Sequence, residues 1–269
     1  MEWLFAALTS LLAFATGASI GSFLNVVVYR LPAKLSLISP PSRCPHCLQA
    51  IRPSDNIPVL GWLRLRGKCR ACRSPISPRY PLVEAVTGLL FMLVLWQFQV
   101  SLFTLGYWAL FSWLLALALI DWDTQTLPNP LTQSGLVVGL VFQSIWGIST
   151  GAFPQHLMVG IVGAVVGIWL LDLVAIAGSL LFGQEAMGAG DAKLAALIGA
   201  WLGWKLLLLS GFLAAAIGAF IGGGAIALGL LNRRQRIPFG PLLALGAAIA
   251  TFYGNAIITA YLQIFFPTL

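Results

Sequence analysis

The chain has 269 residues, of which 59% are hydrophobic and only 9% are charged, and its mean hydropathy is strongly positive. This composition excludes an ordinary soluble domain and indicates an integral membrane protein. The formal net charge is +7, but ten of the fifteen Lys and Arg lie between Arg30 and Arg79. Beside membrane spans, such a basic segment is typical of the cytoplasmic side, and we therefore do not expect nucleic acid as a partner.

The first hydrophobic segment runs from Trp3 to about Val28. The residues before it lack the positive charge of a signal peptide and no clear cleavage site follows, so we expect it to remain as a membrane span. It ends in Gly21-Ser-Phe-Leu-Asn-Val-Val-Val-Tyr-Arg-Leu-Pro32. Small residues there favour close helix packing. The amide of Asn25 needs a polar partner, either in a cavity or on a neighbouring helix.

Residues 31–80 are rich in Pro, Ser, Arg and Cys and contain no apolar run of spanning length. All four cysteines lie here, as Cys44-Pro-His-Cys47 and Cys69-Arg-Ala-Cys72. This spacing is typical of a tetrahedral zinc site made by Cys44, Cys47, Cys69 and Cys72, and a reducing cytoplasm disfavours disulfides. We predict a structural zinc ion that supplies the folding energy of a small cytoplasmic insert. His46 is predicted to be a bystander.

Seven further apolar stretches follow the insert, which gives about eight transmembrane helices in an all-α polytopic protein. Their approximate bounds are 82–98, 102–120, 131–148, 156–182, 194–209, 212–231 and 237–266. Alternate counting from an outside N-terminus places the insert and the connections near 121–129, 183–191 and 233–236 on one face. That face carries nearly all of the Lys and Arg, so it is predicted to be cytoplasmic. We divide the chain into a first helix at 1–30, the zinc insert at 31–80 and a membrane core at 81–269.

The chain has only eight Asp and Glu residues, and three of the aspartates stand where apolar runs break. Asp121 and Asp123 lie in Ile120-Asp-Trp-Asp-Thr-Gln-Thr-Leu-Pro128, and Asp191 lies in Met187-Gly-Ala-Gly-Asp-Ala-Lys193. Two carboxyl groups held close together share a proton, so one can activate water while the other polarises a carbonyl. We predict that Asp121 and Asp191 form a catalytic pair for peptide hydrolysis. Asp123 is the second choice for the first acid.

The sequence offers no competing catalytic apparatus. Its two histidines, His46 and His156, form no Ser-His, Cys-His or His-Glu-x-x-His arrangement. The glycines at Gly188-Ala-Gly190 are interpreted as a break in the helix that exposes backbone beside the acid. They do not make a dinucleotide fingerprint, which requires a preceding strand and a third glycine.

A proton-coupled transporter with a regulatory zinc insert is the alternative function. In that case Asp121, Asp172 and Asp191 would relay protons or bind cations. The clustering of acids at one face and the lack of an inverted repeat disfavour it. We predict Asp172 to be a buried structural acid in the middle of the fifth span. Lys193 either neutralises Asp191 or marks the inside face.

Five stretches together resemble the type IV prepilin peptidases, also called prepilin leader peptidase/N-methyltransferases. They are Gly21–Pro32, the paired Cys-x-x-Cys insert, Arg79-Tyr-Pro-Leu-Val-Glu84, Ile120–Pro128 and Gly188–Lys193. The resemblance implies a multi-pass GxGD-type aspartyl protease of the bacterial inner membrane with its active site facing the cytoplasm. Its acids would be Asp121 and Asp191.

The same resemblance implies the substrates and a second activity. The partners would be prepilins of type IV pili or pseudopilins of type II secretion, together with membrane lipid. After removing their basic leader, the enzyme would methylate the new N-terminal amine with S-adenosyl-L-methionine. The residues themselves show no binding motif for this methyl donor, so its site is not assigned to any of them.

Overall fold

The computed structural model describes residues 2–182, 188–230 and 238–266. The predicted basic turn at 233–236, and Met187 beside the Gly188-Ala-Gly190 break, lie outside the described residues. Within them, eight α-helices and two isolated β-bridges are present, but no strand. The helices are α1 (Glu2–Arg30), α2 (Leu60–Arg64), α3 (Arg79–Phe98), α4 (Leu102–Thr124), α5 (Asn129–Ser149), α6 (Phe153–Phe182), α7 (Ala189–Ala227) and α8 (Gly240–Phe265).

All of these helices except α2 are long and apolar enough to cross a membrane. The chain divides into two compact units, Met1–Ala116 and Leu117–Leu269. The first contains α1, the insert and α3, and the second contains α5 to α8. Helix α4 contributes to both, because the division falls within it.

Helix α7 supplies two of the predicted eight spans. It has 39 residues, and its helical geometry is interrupted at Gly203, where φ is 75° and ψ is 169°. At 1.5 Å per residue an unbroken helix of this length would reach roughly 58 Å, nearly twice the hydrocarbon core of a bilayer. A positive φ of this kind costs glycine little and other residues much. The backbone therefore turns at this glycine.

Packing partners give the direction of each part of α7. In the first part, Lys193 contacts Asn129 and Trp201 contacts Gly135, so this part runs parallel to α5. In the second part, the backbone of Ser210 lies against Gly246, while Gly218 lies against Leu242, so the chain runs antiparallel to α8.

The two parts of α7 therefore run in opposite directions across the membrane. The first begins beside Asp191, which interacts with Asp121, and α8 begins with Gly240, which also contacts Asp121. A chain that runs antiparallel to α8 must return to that same end. With α7 counted as two spans, the seven long helices of the described residues agree with the prediction of about eight spans. The predicted boundary at residues 210–211 is wrong, because the reversal at Gly203 lies inside an unbroken apolar stretch that hydropathy cannot divide.

Close backbone contact fixes the first part of α7 against α6. Gly163 and Gly199 approach so nearly that a Cβ on either would collide with the carbonyl group of the other. One turn away, a Cβ on Gly167 would lie 2.6 Å from the carbonyl carbon of Ala195. Small residues permit this approach, as is typical of membrane helix pairs.

The register of α6 against α7 corrects the prediction for Asp172, which is exposed rather than buried. Gly163 pairs with Gly199 and Gly167 with Ala195, so the antiparallel register places Asp172 level with Gly190. The side chain therefore lies near the end of the membrane core and not at its middle. An exposed acid at this level avoids the cost of a charge in hydrocarbon.

In the first unit, α1 and α3 pack as an antiparallel pair. A Cβ on Gly21 would lie 2.8 Å from the Cα of Glu84, so the two backbones are in close contact. Asn25 donates a hydrogen bond from Nδ2 to the backbone oxygen of Tyr80 at 3.2 Å. Of the two predicted roles for this amide, the interhelical hydrogen bond is therefore the one that the structure contains.

We expect Gly163→Ala to destabilise the second unit, because the added methyl group must push α6 away from α7. Overpacking of this kind costs about 1–3 kcal/mol. The measurement is the thermal unfolding midpoint of the detergent-solubilised protein. Gly223→Ala is the matched control, since no neighbouring atom of the described residues lies within 4 Å of its Cβ position. Equal midpoints for the two variants would contradict the packing described.

Candidate functional site

Asp121 lies in the last turn of α4 and is only 6% exposed. Its Oδ2 accepts a hydrogen bond from the backbone N–H of Gly240 at 2.9 Å. Gly240 is the first residue of α8, so the carboxylate faces the positive end of that helix. A Cβ on Gly240 would lie 2.6 Å from the same Oδ2. A larger residue at position 240 would therefore have to push the Asp121 carboxylate from this position.

Asp191 lies in the first turn of α7 and is 8% exposed. It is within range of a direct electrostatic interaction with Asp121. Gly188 precedes it with extended backbone, at φ −80° and ψ 146°. Among the described residues beyond its chain neighbours, the atom nearest to the Cβ position of this glycine is the backbone N of Gly190, at 3.9 Å. The acid is therefore buried on the protein side and bordered by open, non-helical backbone on the other.

The turn after α4 is packed onto the start of α7. A Cβ on Gly190 would lie 3.1 Å from the Cβ of Leu127. Lys193 donates a hydrogen bond from Nζ to Oδ1 of Asn129 at 2.7 Å. The structure thus gives Lys193 a different partner from the predicted neutralisation of Asp191. These two contacts set the position of the first turn of α7, which carries the acid.

Asp123 is exposed. It follows Asp121 by two residues, which turns its side chain roughly 200° around a helix of 3.6 residues per turn. Asp121 is the member of the pair that is buried beside Asp191. The geometry therefore favours the first choice of the sequence analysis over the second.

The four cysteines of the insert form one cluster. The sulfur atoms of Cys44, Cys47, Cys69 and Cys72 all lie within 4.8 Å of one another. Cys44 Sγ and Cys72 Sγ are 3.8 Å apart, which is about the separation expected for two thiolates at about 2.3 Å from one tetrahedral zinc. The cluster therefore fits the four-coordinate metal site that the spacing predicts.

Each cysteine pair is closed by the same backbone turn. The Cys44 N–H donates to Gln49 and the Cys69 N–H donates to Ser74, at 3.0 and 2.9 Å. The backbone N–H groups of Cys47 and His46 also point at the Cys44 sulfur and lower its pKa to about 6. These N–H groups favour the thiolate, which is the form that binds metal. His46 itself is exposed.

An ion pair joins the second cysteine pair to the 3-10 turn Pro53–Asp55. Arg70 donates from Nε and Nη2 to the two carboxylate oxygens of Asp55, at 2.7 and 2.6 Å. These hydrogen bonds hold the pKa of Asp55 below its ordinary value. These two parallel hydrogen bonds link two segments of the insert through a contact that does not involve the sulfur atoms.

The site is completed by three residues that were not predicted from the sequence as site residues: Gly240, Leu127 and Asn129. Gly240 stands in Pro238-Phe-Gly-Pro241 at the start of a span. A glycine between two prolines at the start of a helix indicates a close backbone approach. This pattern could have identified Gly240 from the sequence. The sequence contains no comparable signal for Leu127 and Asn129.

Two protein-family models match this chain, one over its N-terminal part and one over the part that follows. Residues 15–98 match a protein-family model described as "Bacterial Peptidase A24 N-terminal domain". Residues 108–223 match a second model, described as "Type IV leader peptidase family". No solved structure matches the chain significantly.

Several curated relatives share most of their length with this chain. A prepilin leader peptidase/N-methyltransferase of Stutzerimonas stutzeri is 40% identical, over 94% of this chain and 93% of its own. The protein of that name from Aeromonas hydrophila is 39% identical, over 98% and 96%. The one from Pseudomonas aeruginosa is 40% identical, over 92% and 91%.

Proposed function

The chain belongs to the type IV leader peptidase family, and from this premise we propose that it is a membrane aspartyl endopeptidase with Asp121 and Asp191 as its catalytic acids. The observation that carries the proposal is the pair of buried, interacting carboxyl groups. Asp121, in the last turn of α4, contacts the start of α8, and Asp191 lies in the first turn of α7, after the extended backbone of Gly188. The proposed substrates are prepilins, which the names of the relatives mention, or the pseudopilins that the family resemblance implies.

The chemistry follows from two acids that share one proton. The ionised carboxylate takes a proton from water, and the resulting hydroxide attacks the carbonyl carbon of the substrate. The protonated acid donates its proton to the carbonyl oxygen, which gives a tetrahedral diol. Collapse of the diol returns a proton to the departing amine and breaks the peptide bond. General acid–base transfer of this kind contributes about 10²–10⁴-fold to a rate.

Gly240 acts in this scheme as a positioning residue. Its N–H fixes one oxygen of Asp121, which leaves the other oxygen for water or for the shared proton. Since the donor is backbone at the first residue of a helix, it moves only with α8 as a whole. The orientation of the acid is thus set before a substrate arrives.

The position of the acids restricts the substrate. Both lie at helix ends, so they reach a bond near the start of the substrate's own hydrophobic helix. The open, extended backbone at Gly188 accommodates an extended strand. A short leader before a membrane-inserted helix has this form, and a small residue such as glycine before the cut is favoured by the need for extended backbone.

The remaining features of the proposal concern zinc, methylation and location. The four-cysteine cluster holds Zn²⁺ as a structural ion. The relatives are also named as N-methyltransferases, and the family resemblance implies that the new N-terminus is methylated with S-adenosyl-L-methionine. We place the protein in the bacterial inner membrane with its active site facing the cytoplasm, from the charge bias of its connections. The first helix at 1–30 and the zinc insert at 31–80 precede a protease core at 81–269.

We expect Asp121→Asn and Asp191→Asn each to lower kcat by on the order of 10³-fold or more, because a single acid cannot share the proton. The measurement is cleavage of a purified prepilin in detergent, followed by gel mobility and mass spectrometry. Asp123→Asn is the matched control and should keep most of its activity. An inactive Asp123→Asn beside an active Asp121→Asn would show that the pair is assigned incorrectly.

We expect Gly240→Ala to lower kcat by roughly 100-fold with little change in KM, because its methyl group displaces the Asp121 carboxylate by a fraction of an ångström or more. Gly211→Ala is the control, as its Cβ position has no neighbouring atom within 4 Å in the part of the chain that the structure describes. Thermal unfolding of both variants separates misplacement of the acid from loss of folding. A Gly240→Ala enzyme with unchanged kcat would refute the positioning role.

We expect one zinc ion per chain by elemental analysis of protein purified without chelator. Cys72→Ser should lose the ion and lower thermal stability more than it changes the chemical step, since the metal supplies folding energy. His46→Ala, which alters an exposed residue between two ligands, should keep the full zinc content. Zinc-free wild-type protein with an ordinary unfolding midpoint would exclude this role.

A further inference from the structure

The short helix α2 presents large apolar side chains outward. Gly61 is buried against the backbone of Asp55, and Trp62 donates its Nε1 hydrogen bond to the carbonyl of Ile76. The opposite side carries Leu60 and Leu63, which are 62% and 56% exposed. Residues three apart lie on one side of a helix. The helix therefore offers an apolar surface that the insert itself does not cover.

A buried acid fixes where this helix begins. The backbone N–H of Val59 donates to Oε2 of Glu84 at 2.7 Å. Glu84 is buried in the second turn of α3, against Gly21 of α1. It lies five residues from Arg79, the first residue of α3, which corresponds to roughly 7.5 Å along the helix axis. Because α1 and α3 are membrane spans, Leu60 lies at the membrane edge.

The backbone at Val59 supports a fixed direction for α2. Its φ is 61° and its ψ is −53°, and the N–H of Leu60 donates to the carbonyl of Pro58. This γ-turn is unfavourable for a β-branched residue. Strained backbone persists where surrounding contacts enforce it, and the hydrogen bond to Glu84 is such a contact. The turn at Val59 therefore fixes the start of α2 beside Glu84.

Cationic side chains accompany the exposed leucines. Arg64 follows Leu60 by four residues and therefore shares its side of α2. Arg66 and Lys68 follow directly, and all three are exposed. An apolar side combined with Lys and Arg is typical of segments that lie in the membrane interface and bind anionic lipid. A cationic leader peptide would be repelled by the same surface.

We propose that residues 60–68 form a lipid anchor, which inserts Leu60 and Leu63 among the acyl chains and binds anionic phospholipid headgroups through Arg64, Arg66 and Lys68. The anchor holds the zinc insert down on the membrane surface. The contact of Val59 with Glu84 places it at the correct depth. This surface is independent of the two aspartates, so the inference does not depend on the proposed protease activity.

Hydrogen–deuterium exchange of the full-length protein in lipid nanodiscs tests the anchor. One set of discs contains phosphatidylcholine alone, and the other contains an equal mixture with phosphatidylglycerol. We expect amide exchange in residues 57–68 to be at least threefold slower in the anionic discs. Exchange in α5 should be the same in both and serves as the internal reference. Equal exchange of residues 57–68 in the two lipids would overturn the proposal.

Charge variants give the matched comparison. Arg64→Gln/Arg66→Gln should lose the difference between the two lipids, whereas Arg43→Gln/Arg73→Gln, with the same change of net charge at exposed positions, should keep it. Zinc content is measured in every variant to verify that the insert is folded. A lipid difference that survives in the first variant, or that disappears equally in both, would contradict the assignment. Slower exchange of residues 57–68 that appears only when an acidic protein is added would also contradict the assignment.

Discussion

The hydrogen bond from the backbone N–H of Gly240 to Asp121 is the contact on which the second unit of the molecule depends. A carboxyl group at a membrane edge needs polar partners, because hydrocarbon supplies none. The start of a helix offers unsatisfied N–H groups and a favourable dipole. The second unit provides two such helix starts, at α7 and α8, and each is associated with one of the acids. The proposed catalytic pair and the helix arrangement therefore have a common physical origin.

The reversal at Gly203 makes this arrangement possible. The first part of α7 leaves the acid end of the unit and the second part returns to it, so α8 can begin beside Asp121. The first part is also the most constrained. Trp201 donates to the backbone of Gly135 and accepts at its own carbonyl from Gln143. The close approach of Gly163 and Gly199 adds a second fixed side. A segment held in this way presents Asp191 with little freedom.

The sequence predicts those features that reside in short stretches of chain. The cysteine pairs, the two acidic stretches and the membrane character can all be recognised in the sequence without a structure. The cysteine cluster, the number of spans and the family agree with the predictions made from them. The predictions that are wrong concern Asp172 and the boundary between the sixth and seventh spans. The position of Asp172 depends on the register between α6 and α7, and the boundary depends on the reversal at Gly203 within an unbroken apolar stretch. Hydropathy encodes neither of these features. The prolines around Gly240 indicate a close backbone approach, but its partner Asp121 is 119 residues away in the sequence, so the pairing itself could not be predicted.

The central claim is that Asp121 and Asp191 share one proton. Infrared difference spectroscopy of protein labelled with ¹³C-aspartate detects the carbonyl stretch of a protonated carboxyl group directly. We predict one such band, shifted by ²H₂O, that is absent from both Asp121→Asn and Asp191→Asn and present in Asp123→Asn. A band that survives in either of the first two variants would show that the proton belongs to one acid alone, and would contradict the shared site.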